Sequence, residues 1–156
     1  TEPVLWSEEN QLRADSVAIF TKNRQADMME LYTSAFVTSE VDKLRYNQIK
    51  GRRLTGYFKN NEIYKISVNG NGESLYYLPN EEDIVGENRV RCSKMEIFLE
   101  EGKIKEIFQY QPGGTIDPPA AKPQPGSNLE GFSWLNTIRP VNRNDVFRKI
   151  VPGAVE

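Results

Sequence analysis

Apolar and polar residues alternate along residues 49–70, and this alternation predicts one β-hairpin. From Leu54 to Phe58 every second position falls on one face, because side chains in a strand alternate between two faces. Residues 59–62 are polar and contain two asparagines, which tolerate the positive φ that a tight hairpin turn needs. The chain then returns along residues 63–68, which are rich in β-branched side chains.

The hairpin recurs twice. Residues 12–32 and 90–110 match the pattern when the sequence is shifted back by 37 or forward by 41 positions. Leu54 then falls on Val17 and Met95, and Ile66 falls on Met29 and Ile107. Three copies at nearly constant spacing predict one structural unit used three times. Because a single hairpin buries too little apolar surface to be stable, the copies are expected to share one core.

Two local features leave alternatives open. Residues 26–35 also fit the apolar spacing of a helix, but the repeat favours a strand. In the central copy Ile63 and Ile66 do not share a face, and Ile104 and Ile107 show the same break. Either Ile63 belongs to the turn or a β-bulge lies between the two isoleucines.

The chain has 156 residues, enough for one domain and a tail. We assign residues 1–117 to an all-β domain and residues 118–128 to a proline-rich linker. Residues 129–156 carry several large apolar side chains and are expected to dock on the domain or on a partner, with a short helix at 146–150. The chain starts with Thr1 rather than methionine, which indicates a processed or trimmed chain.

Composition excludes several functions. The net charge of −2 gives no general attraction to nucleic acid or anionic membrane. The chain has no histidine, which removes the commonest general base and most zinc sites. We therefore expect a binding or structural module rather than an enzyme, with no metal and no cofactor. The single cysteine, Cys92, lies in a predicted strand, where a buried structural thiol is more typical than a nucleophile.

Charged and aromatic clusters have structural as well as functional interpretations. The carboxylates at 100–101 and 81–83 lie in predicted turns, which favours a solvated loop over an acid–base pair. Lys50, Arg52 and Arg53 form a basic cluster, which either meets phosphate groups or protects a sheet edge. The tyrosines at 57, 64, 76 and 77 either line a binding surface or form cross-strand pairs.

The repeat places twelve apolar residues on one face of the predicted sheet. They are Val17, Ile19, Met29, Leu31, Leu54, Phe58, Ile66, Val68, Met95, Ile97, Leu99 and Ile107. Either these side chains fill a closed core or they line a trough for an acyl chain, because burial of apolar surface favours both arrangements.

The repeat resembles the OstA-like family, the periplasmic organic-solvent-tolerance and lipopolysaccharide-transport β-jellyroll of Gram-negative envelopes. The resemblance is carried by residues 12–31, 49–77 and 90–107. The stretches LTGYFKNNEIYKISVNGNGESLYYLP and GFSWLNTIRP are similar in particular to the longer OstA-like proteins of the Bacteroides type. The chain departs from the pattern at Gly56, where the other copies carry Ile19 and Ile97, which indicates a bend or a wider gap. The linker and the aromatic tail are also absent from the minimal transport module.

The resemblance implies a twisted, V-shaped β-jellyroll with two facing antiparallel sheets of repeated hairpins. It implies a periplasmic module for lipopolysaccharide transport and outer-membrane biogenesis that holds acyl chains between its sheets. Lipopolysaccharide or a related lipid would be the ligand, with the twelve apolar residues around its chains and Lys50, Arg52 and Arg53 near its phosphates. Other jellyroll modules, or copies of this chain, would join edge to edge by strand addition. The alternative is a structural or protein-interaction scaffold with a closed core and no lipid.

Overall fold

The computed structural model describes residues 2–118, 127–142 and 144. The described chain forms nine antiparallel strands and one short 3₁₀ turn, Asn136–Ile138. The strands are β1 (Val4–Ser7), β2 (Asn10–Arg13), β3 (Ser16–Lys22), β4 (Gln25–Glu40), β5 (Tyr46–Lys59), β6 (Glu62–Asn80), β7 (Asp83–Glu100), β8 (Lys103–Tyr110) and β9 (Gly113–Asp117). Residues 26–35 lie within β4, so the strand assignment is confirmed there and the helical alternative is wrong.

The strands form three consecutive hairpins that match the three sequence copies. In the first, β2 and β3 both pair with β4; in the second, β5 pairs with β6; in the third, β7 pairs with β8 and β9. The three turns lie at equivalent positions, 23–24, 60–61 and 101–102, and all six turn residues have positive φ. Asparagine and glycine occupy four of these six positions, which is the turn chemistry that the sequence predicts.

Each hairpin carries a bulge just after its turn. Tyr57 pairs with Lys65 and Phe58 pairs with Ile63, so Tyr64 is the extra residue of the second hairpin. Asp27 and Lys105 occupy the equivalent places in the first and third hairpins. The predicted bulge is therefore confirmed as part of the repeated unit, and Ile63 belongs to the strand rather than to the turn.

A second irregularity bends each hairpin at its middle. The pairing shifts register between Tyr32 and Ala35 in β4, and equivalent shifts interrupt the pairing of β5 with β6 and of β6 with β7. Thr33, Ser34, Gly70, Asn71 and Gln111 have positive φ in this region. Because every hairpin bends at the same level, the sheet folds into two layers.

We call the half next to the three turns the hairpin layer. It contains β3, β8 and the adjoining halves of the four long strands, residues 25–32, 53–59, 62–69 and 94–100. The other half, which contains β1, β2, β9 and residues 35–40, 46–50, 72–80 and 83–92, is the strap layer.

The main core fills the space between the two layers. Leu12, Val37 and Ile49 of the strap layer join Leu54, Val68 and their neighbours of the hairpin layer in one cluster of buried side chains. This arrangement confirms the expected all-β, jellyroll-like fold of repeated hairpins. Within the described part of the chain, no helix is long and apolar enough to cross a bilayer.

The C-terminal segment lies on the outer face of the strap layer. Leu129 and Phe132 pack with Phe36, Leu75 and Tyr77 in a second, smaller core. We call residues 127–139 the strap, because they run across the strands from β7 to β1. Most of the predicted linker and the predicted helix at 146–150 lie outside the described residues.

Candidate ligand-binding crevice

The twelve apolar residues predicted to share a face mostly fill the main core. Met29, Leu31, Leu54, Ile66, Val68, Met95, Ile97 and Leu99 are buried in it, and Val17, Phe58 and Ile107 pack against it half-buried. Ile19 differs, since 53% of it is exposed on the edge strand β3. Gly56, the departure from the repeat, faces Met29, whose Cε would lie 3.4 Å from a Cβ at position 56. The missing side chain therefore makes room for Met29.

A crevice opens between the layers on the side of β8. It consists of two adjoining cavities of about 220 and 300 Å³, which share Tyr76 and Ile104 as a common wall. Leu78 of the strap layer and Ile107 of β8 line the smaller cavity. Val41 and Pro79 add apolar surface to the larger one. We call the two cavities together the crevice.

Polar groups occupy the crevice at defined places. The Gln109 side chain lies at its inner end and donates a hydrogen bond to Ser74 Oγ at 3.5 Å. Burial raises the pKa of Tyr76, so its phenol remains neutral and able to donate a hydrogen bond at physiological pH. Glu101 and Lys103 line the larger cavity beside the turn between β7 and β8. Glu9, Glu40 and Lys105 line the crevice as well, so several charged groups border its apolar walls.

The three predicted basic residues do not lie together. Lys50 and Arg52 line a separate cavity of about 540 Å³ at the outer bend of the sheet. Lys50 Nζ donates to the carbonyl oxygen of Glu130 at 3.2 Å and lies 3.6 Å from the Glu73 carboxylate. Arg53 instead forms an ion pair with Glu30. None of the three lines the crevice.

The tyrosines and the cysteine have different surroundings. The rings of Tyr57 and Tyr64 lie 6.5 Å apart as a cross-strand pair, whereas Tyr77 is buried beneath the strap. Cys92 is buried, and desolvation raises the pKa of its thiol, as expected for a structural cysteine. Among the described residues, no group of three or more His, Cys, Asp or Glu side chains is placed to hold a metal ion.

The strap lies over one row of cross-strand partners on the outer face of the strap layer. Consecutive register pairs link Trp6, Gln11, Thr38, Gln48, Leu75 and Arg89 from β1 to β7. We call these six residues the ladder. Gln11, Thr38 and Gln48 are fully buried, although they are polar residues on an outer face.

The ladder holds the strap mainly through the strap's own backbone. Gln11 Nε2 donates to the carbonyl oxygen of Ser133 at 2.8 Å, and its Oε1 accepts from the N–H of Leu135 at 2.7 Å. Gln48 accepts from the N–H of Leu129 at 2.8 Å, and Arg89 donates to the carbonyl oxygen of Ser127. Beside the ladder, Arg13 and Lys50 donate to the carbonyl oxygens of Gly131 and Glu130.

Aromatic contacts fix the far end of the strap. The Trp134 ring lies 5.2 Å from those of Trp6 and Tyr46, and the Phe132 ring lies 5.1 Å from that of Tyr46. Arg139 stacks over Trp6 and donates to the carbonyl oxygen of Glu8 at 2.6 Å.

The sequence contains a signal for the ladder. Gln11, Gln48 and Arg89 are separated by the repeat shifts of 37 and 41, so they are one position in three copies. Polar residues that recur at one position of every copy, next to an apolar position, indicate that they contact a common segment. No comparable pattern marks Tyr76, Leu78 and Ile104, because the crevice forms only where the two layers separate.

No protein-family model matches the chain, and neither a curated protein nor a solved structure matches it.

Proposed function

We propose that the protein is a lipid-handling module of outer-membrane biogenesis, which takes an acyl chain of lipopolysaccharide or a related lipid into the crevice. The crevice is the observation that carries this proposal. It has apolar walls, formed by side chains such as Leu78, Ile104 and Ile107, beside charged and polar groups; it opens to solvent, and it lies between two layers of a jellyroll-like fold. The periplasmic location follows from the family resemblance, the non-enzymatic role follows from a sequence without histidine, and both belong to the same proposal.

The geometry favours a single chain rather than several. The two cavities adjoin end to end and have modest volumes of about 220 and 300 Å³. Each methylene that leaves water contributes about 0.8 kcal/mol, so an extended chain gains affinity along the whole length of the crevice. Gln109 and Tyr76 offer polar contacts to ester or hydroxyl oxygens along that chain.

Strand addition is the proposed mode of assembly with other modules. Among the described strands, β1, β3, β8 and β9 each pair with one neighbour only, so each presents an open edge. Such an edge offers unpaired backbone groups to an incoming strand.

A closed-core scaffold without a lipid is the second candidate, and burial favours it. Eight of the twelve residues predicted for the acyl chains are buried in the main core, and only Ile107 of the twelve lines the crevice. In this alternative the crevice is a gap between the layers with no ligand.

Photo-crosslinking separates the two candidates. A benzoylphenylalanine at Ile107 faces the crevice, whereas one at Phe108, the next residue on the opposite face of β8, points to solvent. With purified lipopolysaccharide and with a radiolabelled saturated fatty acid as probes, position 107 should be labelled and position 108 should not. Equal labelling at both positions, or at neither, would leave the scaffold as the better account.

A further inference from the structure

Residues 118–126 connect the domain to the strap, and their sequence does not favour a loop whose two ends lie close together. Residues 118–126 contain four prolines in nine residues. Asp117, just before them, pairs with Glu87 of β7, and Ser127, just after them, contacts Arg89 of the same strand. Both ends of the segment therefore lie near the same stretch of β7, Asp117 beside its backbone and Ser127 at the end of the Arg89 side chain. A proline-rich sequence favours an extended polyproline conformation, with a length of about 3.1 Å per residue, rather than a closed loop.

The bonds that hold the strap do not require it to come from the same chain. Most of them join side chains of the domain to backbone atoms of the strap, at Ser127, Leu129, Gly131, Ser133 and Leu135. A strap from another copy would make every one of these bonds with the same partners. Exchange therefore preserves the docking contacts, and it removes the need for the chain to return to its own β7 after Asp117.

The surface beneath the strap is largely polar along the ladder and apolar at the second core. Gln11, Thr38 and Gln48 are polar, so the ladder would tolerate water during an exchange. The Thr38 hydroxyl is buried under the strap without a hydrogen-bond partner among the described residues, which makes the docked state less favourable than a fully satisfied one. An apolar face would oppose transient exposure more strongly.

We propose that the ladder is a docking site for the strap of a second copy of this chain, and that two copies exchange residues 127–139 reciprocally. The exchanged dimer has twofold symmetry, and each domain is completed by the partner's segment. Because the intramolecular strap benefits from a high effective concentration, dimers increase with protein concentration. The proposal concerns the face opposite the main core and does not depend on lipid binding.

Two single-cysteine variants test the exchange directly. Glu9 is exposed and lies 3.6 Å from Arg139 at the end of the strap, so Glu9→Cys and Arg139→Cys place thiols close together in either form. The two variants carry different affinity tags and are co-expressed, purified through both tags and treated with a short bismaleimide. Cys92 is buried and does not compete with the exposed thiols.

Exchange predicts an intermolecular cross-link between the two variants that increases with protein concentration. The matched control combines Glu9→Cys with Tyr64→Cys, an exposed position in the hairpin layer whose ring contacts Tyr57 of that layer, and should not cross-link between chains. The double variant Glu9→Cys/Arg139→Cys reports docking within one chain. Cross-linking within that double variant alone, or equal cross-linking of the test and control pairs, would overturn the proposal.

The proline-rich segment gives a second, independent measurement. A variant with Pro118→Ser, Pro119→Ser, Pro123→Ser and Pro125→Ser has a more flexible sequence here, so the dimer dissociation constant should rise roughly tenfold, equivalent to about 1.4 kcal/mol. Sedimentation equilibrium of the wild type and the variant measures this change. An unchanged or lower dissociation constant would show that the prolines do not drive the exchange.

Discussion

The side chain of Gln48 and the backbone of Leu129 form a buried hydrogen bond of 2.8 Å that fastens the strap to the centre of the ladder. The same side chain donates through Nε2 to Asn128 Oδ1, also at 2.8 Å. Gln48 is fully buried, so both ends of its amide are satisfied by the strap and by its own strand. One amide thus fixes the position of two consecutive strap residues.

Replacing this amide should destabilise the fold. In Gln48→Ala the N–H of Leu129 loses its acceptor in a buried site, which costs about 1–3 kcal/mol. Urea unfolding followed by tryptophan fluorescence measures the loss, because Trp134 of the strap and Trp6 of β1 are in contact. The matched control is Gln109→Ala, which removes a half-buried amide with one long hydrogen bond of 3.5 Å. Equal losses in the two variants would contradict a fastening role for Gln48.

The bend of the sheet depends on the absence of a side chain at Gly51. A Cβ at this position would overlap Cγ1 of the fully buried Val68. Gly51→Ala should therefore lower the free energy of unfolding by about 1–3 kcal/mol, the usual cost of overpacking a core. In contrast, a Cβ added at Gly113 has no atom within 4 Å. Gly113→Ala should therefore leave the free energy of unfolding almost unchanged or raise it slightly. Thermal unfolding compares the two, and similar melting temperatures for both variants would refute the overlap.

The free energy of unfolding should depend on pH through Glu8, which lies in the turn between β1 and β2. Desolvation, followed by repulsion from Glu62 and Glu101, raises the pKa of Glu8 above its ordinary value of 4.5. An acid with a raised pKa in the folded state stabilises the fold while it is protonated, and that contribution is lost as pH rises through the folded pKa. Glu8→Gln should therefore be more stable than the wild type at pH 7.

The same comparison at pH 3 is the control for Glu8. The wild-type carboxyl is neutral there, as the glutamine is at every pH, so the two proteins should have similar free energies of unfolding. Denaturant titrations at pH 3 and pH 7 give both differences. A difference of the same size at both pH values would show that charge on Glu8 is not the cause.

A charge on the apolar wall of the crevice should weaken uptake of an apolar chain. Leu78 lines the smaller cavity and is not part of the main core, so Leu78→Lys should weaken binding of a fluorescent fatty acid by roughly tenfold or more without unfolding the domain. Val85→Lys is the matched control, because Val85 is 55% exposed and lies outside both cavities. Fluorescence titration measures both affinities. If the two variants bind the probe equally, the crevice is not the binding site.

The repeated hairpin can be predicted from the sequence, because its causes are local. Turn residues such as Asn60 and Asn61 favour positive φ, and the period of two places Leu54 and Ile66 on one face. The break between Ile63 and Ile66 indicated the bulge at Tyr64 for the same reason, since one extra residue reverses the alternation. All three features lie within one hairpin and require no knowledge of the rest of the chain.

The identity of the apolar residues that face a ligand-sized space depends on the tertiary fold. Leu54 and Ile107 carry the same strand pattern, yet Leu54 is buried in the main core and Ile107 borders the crevice. The difference depends on how far the two layers separate, and the bends at the middle of the hairpins set that separation. The docking of the strap is likewise a long-range result, since Leu129 reaches Gln48 across 81 positions of the chain. Alternation fixes the face of a side chain, but folding of the whole sheet fixes what that face meets.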